Sequence, residues 1–280
     1  MAISRADFDY VSRLAYDEAA LVIEPGKEYL VDTRLTPLAQ RAGFVSLANL
    51  IQQLRTAPKI NGLHHQAIDA LTTNETLFFR DHYPFEALRR FIFPALIEQR
   101  ANSRRLTIWS AACSTGQEPY SVAMLLLEHF PILAEWTVSI IATDLSARVL
   151  QLAQQGEYSQ FEVNRGLPAA YLVKYFTQRG EKWRINDAVK QKVDFRPMNL
   201  IQPWPVMPPL DLVLMRNVMI YFNVETKKTI LRKIRDCLLP HGQLLLGTAE
   251  TTTSLDLEYQ PVTYGKATAY RIQPSQLPPG

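Results

Sequence analysis

Residues 108–124 read IWSAACSTGQEPYSVAM: an apolar run, a turn built of small residues, then a helix-forming stretch. A strand that passes through a tight turn into a helix is the opening unit of an α/β sheet. In the turn, Ala111, Ala112, Ser114 and Gly116 are small enough for backbone to approach a ligand closely. The helix N-terminus behind them favours a carboxylate or phosphate through its exposed N–H groups. With one glycine only, the turn lacks the G-x-G-x-x-G dinucleotide fingerprint, which removes the main support for a nicotinamide or flavin cofactor. Small residues also occur in strand-to-helix turns that bind nothing, so the reading depends on what stands at the other strand ends.

Working outward, strands are expected at Leu106 to Ala111, Val138 to Thr143, Val193 to Pro197, Leu210 to Arg216 and Gln243 to Gly247. Helices are expected at Pro119 to Phe130, Ala147 to Gln155 and Val224 to Leu238, with an amphipathic helix across 81–100. Such alternation implies an α/β fold with a doubly wound, mostly parallel sheet, whose ligands bind at the carboxyl ends of the strands. Two β-rich runs in 257–272, VTYG and TAYRI, add an antiparallel hairpin at the sheet edge and bring the strand total to seven. A second hairpin is expected around Gly180, within a small antiparallel subdomain at 171–195.

Up to about residue 70 the pattern is helical throughout. Phe8, Val11, Leu14 and Ala15 share one face, as do Leu47, Leu50, Ile51 and Leu54. Ser4 and Ser46 suit N-caps and Gly43 a C-cap. Pro37 interrupts the run from Tyr29 to Ala42, which is either kinked there or begins afresh with Thr36 as cap. The expected organisation is a small all-helical domain at 1–70, a seam at 71–80, a sheet domain at 81–272 and a disordered Pro-rich tail at 273–280.

Composition narrows the classes further. The chain has 280 residues with 47% hydrophobic and 20% charged side chains, ordinary for a soluble globular protein. No apolar run is long enough for a membrane helix and the N-terminus has no leader pattern, so a cytoplasmic protein without membrane insertion is expected. Two cysteines, Cys113 and Cys237, make neither a disulfide framework nor a zinc site. The formal charge of +3 is mildly basic, far from a nucleic-acid-binding tail.

Polar residues then gather at the strand ends. The second strand ends in ATDLS, which places Asp144 where nucleotide-binding folds put an acid on ribose hydroxyls; a plain N-cap explains it as well. The fourth runs LMRNVMIYF, with Arg216 and Asn217 directly after an apolar strand. An arginine at that edge suits an anionic acceptor, where enzymes that methylate nitrogen often carry an Asn/Asp-Pro-Pro-aromatic clamp instead. At the seam, TTNETLFFRD alternates Asn74, Thr76 and Arg80 with Leu77, Phe78 and Phe79.

Taken in order, TTNETLFFRD, IWSAACSTGQEPYS, ATDLS, FRPMNL and RNVMIYF resemble the successive signatures of the CheR family of chemoreceptor glutamate O-methyltransferases, over roughly residues 5–272. The resemblance implies a helical domain packed over a methyltransferase sheet, with S-adenosylmethionine between them and S-adenosylhomocysteine as product. Carried over by position, it implies cofactor contacts from Asn74, Thr76, Arg80, Glu118, Asp144, Asn199 and Leu200, the last two beside the adenine, and from Arg216 and Asn217. Arg216 then has two open roles, pairing with the acceptor or with the carboxylate of the cofactor. Arg80 and Tyr221 are the catalytic candidates: Arg80 either orients the acceptor carboxylate or positions the cofactor, and the Tyr221 hydroxyl holds the acceptor or the cofactor near the methyl group. The implied partners are the cytoplasmic helices of methyl-accepting chemoreceptors. Arg34 and Arg41, seven residues apart on one helix face, are the docking candidates. Some members also hold a receptor's C-terminal peptide on a loop with two closely spaced glycines; KYFTQRGEKWRI has Gly180 alone, so no peptide tether is expected. Intact Asn74, Glu118, Asp144 and Asn217 argue against a receptor adaptor without turnover, and the missing amine clamp against an RNA acceptor.

Other features read as structural. His64 and His65 have no partner at metal-ligand spacing, so no metal is expected. Cys113 has no histidine base placed by a motif and reads as a small hydrophobe. Arg89, Arg90, Arg104, Arg105, Lys227, Lys228, Arg232, Lys233 and Arg235 read as solvated faces rather than a nucleic-acid surface.

Overall fold

A computed structural model describes residues 3–273; the tail expected to be disordered lies, apart from Gln273, outside the described residues. The chain forms two compact units, one ending at Asn74 and also taking in Tyr221–Thr226, the other made of Glu75–Ile220 and the chain from Lys227.

The helical unit contains α1 (Arg5–Ala19), α2 (Glu28–Arg41), α3 (Leu47–Thr56) and α4 (Gly62–Leu71). The Ser4 and Ser46 hydroxyls accept the N–H groups of Asp7 and Asn49, each at 3.2 Å, and so satisfy donors that a helix start leaves open. Asn61 caps α4, and the buried His64 closes a capping box there while its other ring nitrogen meets the Leu54 carbonyl at 3.0 Å. That accounts for His64 as a packing residue. Phe8, Val11 and Ala15 meet Val31, Leu35 and Leu38 of α2 and Leu50, Ile51 and Leu54 of α3 in one core. Pro37 lies inside α2, so the run from Glu28 to Arg41 is one helix rather than two.

In the sheet unit, α5 (Tyr83–Ala87) and α6 (Phe93–Arg100) are joined by a π-helical turn, Leu88–Ile92. There follow β1 (Arg105–Ala111), α7 (Gln117–His129), β2 (Thr137–Asp144) and α8 (Ala147–Gln155). Next come β3 (Glu157–Ser159), α9 (Gln160–Val163), α10 (Ala169–Tyr175), β4 (Phe176–Arg179), β5 (Lys182–Ile185) and α11 (Asp187–Lys190). The chain closes with β6 (Val193–Pro197), β7 (Leu210–Met215), α12 (Val224–Cys237), β8 (Leu238–Leu246), β9 (Tyr259–Tyr264) and β10 (Ala267–Ile272).

The main sheet has seven strands in the order β6-β2-β1-β7-β8-β10-β9. Pairings among β6, β2, β1, β7 and β8 are parallel, and β10 is antiparallel to β8 and β9. This is the mostly parallel sheet with an antiparallel edge hairpin read from the sequence. The order reverses between β1 and β7, where open α/β sheets place their ligands. β7 is buried at every position, as a central parallel strand covered on both faces must be. β8 starts at Leu238, five residues before the expected Gln243, and shifts register against β7 between Leu210 and Leu212. A separate sheet, β3-β5-β4, contains the expected hairpin and adds β3 as a third strand. Its anchor is Phe78, fully buried and edge-on to Tyr158 at 5.0 Å and Phe176 at 5.6 Å.

Candidate cofactor site and acceptor edge

The carboxyl ends of β1, β2 and β7 carry several polar clusters. After β1 the backbone turns through left-handed residues at Ala112, Ser114 and Gly116. The Ser114 N–H donates to Asp144 Oδ2 at 2.8 Å and the Ser146 N–H to Oδ1 at 2.9 Å, so the buried Asp144 ties the β1 turn to the start of α8. Gly116 fills a role other than the expected one. A Cβ there would stand 3.0 Å from Ala153 and 3.2 Å from Tyr120, so the missing side chain makes room for the protein's own packing rather than for a ligand. Cys113 is buried, and burial followed by the nearby Asp144 charge pushes its thiol well above the usual range, which fits a small apolar residue and not a nucleophile.

Glu118, in the first turn of α7, accepts the Ser110 hydroxyl at 2.8 Å and Arg216 Nη1 at 3.0 Å. Arg216 Nη2 donates to Asp81 Oδ2 at 2.7 Å and to the Arg80 carbonyl at 2.9 Å, and its side chain is 1% exposed. Both terminal nitrogens are therefore spent on the protein. A two-point pairing with an acceptor or cofactor carboxylate would have to displace the buried Glu118 and the more exposed Asp81, so the structure offers neither role considered for Arg216 a free pair of terminal donors. The guanidinium works as a strut between Glu118 and residues 80–81.

That strut fastens an unusual stretch of backbone. Phe79, Asp81 and His82 all have positive φ, at 49°, 68° and 49°, a left-handed conformation that costs a non-glycine residue about 1–2 kcal/mol. The stretch is held by the Phe79 N–H on Ser121 Oγ at 3.0 Å, by the Phe79 ring against Phe85 and Tyr171, each at 5.1 Å, and by Arg216. TTNETLFFRD is thus a strained segment that presents Arg80, rather than a relaxed linker. Arg80 is half-buried, with Nη1 on the Glu75 carbonyl at 3.1 Å.

At the β7 edge, Asn217 is left-handed (φ 59°) and its Oδ1 is buried with no hydrogen-bond partner. The loop that carries it is gathered by Glu250, a residue absent from the sequence expectations. Its Oε2 accepts the N–H groups of Asn217 at 2.8 Å and Gly247 at 2.7 Å, and its Oε1 accepts those of Val218 at 2.8 Å and Ile220 at 3.3 Å. A Cβ on Gly247 would lie 2.7 Å from Glu250 Oε2 and 2.8 Å from Asn217, so only glycine admits this approach. The GTAE sequence at 247–250 was the available signal, a glycine at a strand end followed by an acid.

Between β6 and β7 the chain has no regular structure. Leu200 is buried and Asn199 half-buried, with Asn199 Oδ1 accepting the Ile201 N–H at 3.1 Å. Thr76 is half-buried at the start of the sheet unit. In the helical unit, Asn74 Nδ2 donates to Thr72 Oγ1 at 3.1 Å, and the Tyr221 carbonyl accepts the Val22 N–H at 3.0 Å. Arg41 is exposed, but Arg34 donates to the Thr72 carbonyl at 2.7 Å and so holds the end of α4 rather than standing free for a partner. Several arginines and lysines read as solvated are paired: Arg89 and Arg90 with Glu86, Arg235 with Asp256, and Lys233 with loop carbonyls.

No helix among the described residues is long and apolar enough to cross a membrane. Residues 6–72 match the all-alpha domain of CheR methyltransferases and residues 74–267 their SAM-binding domain. Chemotaxis protein methyltransferase 1 of Pseudomonas aeruginosa is 39% identical over 277 residues, covering 98% of this chain and all of that protein. The chemotaxis protein methyltransferase of Vibrio parahaemolyticus is 38% identical over 278 residues, covering 97% and 99%. With both domains matched in order and the polar clusters standing at the carboxyl edge, this chain belongs to the CheR family of chemotaxis methyltransferases, which use S-adenosylmethionine.

Proposed function

We propose that this chain is a protein-glutamate O-methyltransferase that esterifies glutamate side chains on bacterial chemoreceptors in the cytoplasm. The observation that carries the reading is its full-length similarity to chemotaxis protein methyltransferases. The residues fit the cofactor. Buried carboxylates at Asp144 and Glu118 and the partnerless Asn217 Oδ1 make an acceptor-rich edge suited to ribose hydroxyls and to the positive end of S-adenosylmethionine.

When bound, the cofactor supplies an electrophilic methyl group to a glutamate that is already an anion at neutral pH. The protein therefore needs no general base, and its work is positioning and exclusion of water, which contribute roughly 7–11 kcal/mol in well-oriented systems. In this reading Asp144, Asn199 and Leu200 hold the nucleoside, and Asn74, Thr76, Glu118 and Asn217 complete the cofactor contacts. Arg80 orients the acceptor carboxylate and the Tyr221 hydroxyl holds it. Arg216 acts behind them by fixing Glu118 and the Arg80 segment. Docking on receptor helices is assigned chiefly to Arg41, with Arg34 restrained by its bond to Thr72.

The chain is further proposed to work without a receptor-tail tether, because β4 and β5 are joined by Gly180 and Glu181 alone, a two-residue turn with no loop to extend. Transfer of labelled methyl from S-adenosylmethionine to a receptor cytoplasmic fragment should give base-labile ester label; base-stable label alone would overturn the acceptor assignment. Low-micromolar binding of a receptor-tail peptide would overturn the tether-free reading.

A further inference from the structure

The run MNLIQPWPVMPP at 198–209 has four prolines and no helix or strand, so it supplies few hydrogen bonds of its own. Such a segment needs an external partner for its carbonyls. α12 provides one: Lys233 Nζ donates to the Gln202 carbonyl at 2.8 Å, with the Leu200 and Ile201 carbonyls at 3.3 and 3.4 Å. Its ammonium also lies 5.1 Å from the centre of the Trp204 ring, within cation–π range. Trp204 returns to the same loop through Nε1 on the Leu200 carbonyl at 3.1 Å. The ring meets Trp109 of β1 edge-on at 4.9 Å, and Trp109 Nε1 donates to Thr143 Oγ1 at 2.9 Å, one residue before Asp144. At the other end of the loop, the Met198 N–H donates to the Asp144 carbonyl at 2.9 Å. Leu200 and Asp144 are therefore joined through Lys233, Trp204 and Trp109 into one framework spanning α12, the loop, β1 and β2.

We infer that Lys233 is a positioning residue for the cofactor: through three carbonyls and Trp204 it sets the loop of Asn199 and Leu200 against the base-binding side of the nucleoside site. Three donors on a tetrahedral ammonium match three carbonyls converging from one turn. Burial lowers the ammonium below its ordinary range, which fits a charge drawn from water onto protein carbonyls. The inference rests on the reading that this loop lies beside the base.

The test is calorimetric binding of S-adenosylhomocysteine and of 5′-methylthioadenosine, which shares the nucleoside but lacks the amino-acid end. Lys233→Met should weaken both ligands by the same factor, about tenfold, since loop carbonyls lose a charged donor. KM for S-adenosylmethionine should rise with kcat retained, and Lys233→Arg, whose planar fork keeps the charge but cannot meet three converging carbonyls as the ammonium does, should recover only part of the loss. Trp204→Phe, which keeps a ring but removes the bond to Leu200, should weaken both ligands about threefold and stands in should Lys233→Met not fold. Unchanged affinity in folded variants, or a loss confined to S-adenosylhomocysteine, would overturn the inference. Wild-type protein that binds neither ligand would instead overturn the cofactor site itself, so the two failures are distinct.

Discussion

Replacing Arg216 with methionine tests the strut directly. The guanidinium is 1% exposed and holds Glu118, 12% exposed at the side chain, at 3.0 Å and Asp81 at 2.7 Å. Removing it leaves Glu118 with the Ser110 hydroxyl but no charge partner, and breaking a buried pair from one side costs about 3–5 kcal/mol. At 2–4 °C per kcal/mol for a unit of this size, the expected loss in Tm is roughly 6–20 °C. The pair is shielded from solvent, so raising the salt should change the effect little. Substituting Glu118→Gln in the same molecule removes the stranded charge and should restore about 1–3 kcal/mol, a coupling that separate sites would not show. Scanning calorimetry of the two single variants and the double variant reads all of this. Methyl transfer gives the second signature. Without Arg216 the left-handed stretch at 79–82 loses two of its fastenings, so activity at a temperature where the variant is fully folded should still fall. A Tm loss under about 2 °C, or a double variant no more stable than Arg216→Met alone, would refute the reasoning.

Two further outcomes follow from single side chains. Glu250→Gln exchanges a carboxylate that accepts four backbone N–H groups for an amide whose NH2 must face two of them, with an expected cost of about 3 kcal/mol by urea unfolding; an unchanged midpoint would show that Glu250 does not hold the Asn217 loop. The Glu128 carboxyl is held below its ordinary 4.5 by hydrogen bonds first from Lys174 and then from Tyr175. Its contribution is complete above that unfolded value and is lost as pH falls through the lower folded one, so Glu128→Gln should be less stable than wild type at neutral pH, with the gap closing in acid. A gap that stays constant with pH would sink the assignment.

The sheet was legible because its signal is local. Five apolar runs spaced by helical stretches predict parallel strands, and β2, β6 and β7 stand within a residue or two of their expected limits. The strands that escaped have weak or broken patterns. β3 is three residues long, and the first half of β8 contains Pro240 and Gly242, residues that ordinarily argue against a central strand. The candidate residues at strand ends were legible for the same local reason, since a polar pair after an all-apolar run marks an edge whatever surrounds it.

What those residues do was less legible, because it depends on partners far along the chain. Arg216 next to Asn217 reads as a cation offered to an anion, and only the fold shows it already taken by Asp81 and Glu118, 135 and 98 residues away. Lys233, among neighbours Arg232 and Arg235, reads as one more solvated charge until the proline-rich loop is seen to turn its carbonyls toward it. Both cases have one cause. Sequence periodicity reports which face of an element is apolar, but a long basic side chain can cross from the polar face to buried acceptors, as its aliphatic stem tolerates burial. The basic residues at this edge that end on carboxylates or carbonyls of the protein itself are thus removed as free anion receptors. Arg80 differs in degree, being half-buried and bonded through one terminal nitrogen to a single backbone carbonyl, and the proposed acceptor role rests on it for that reason.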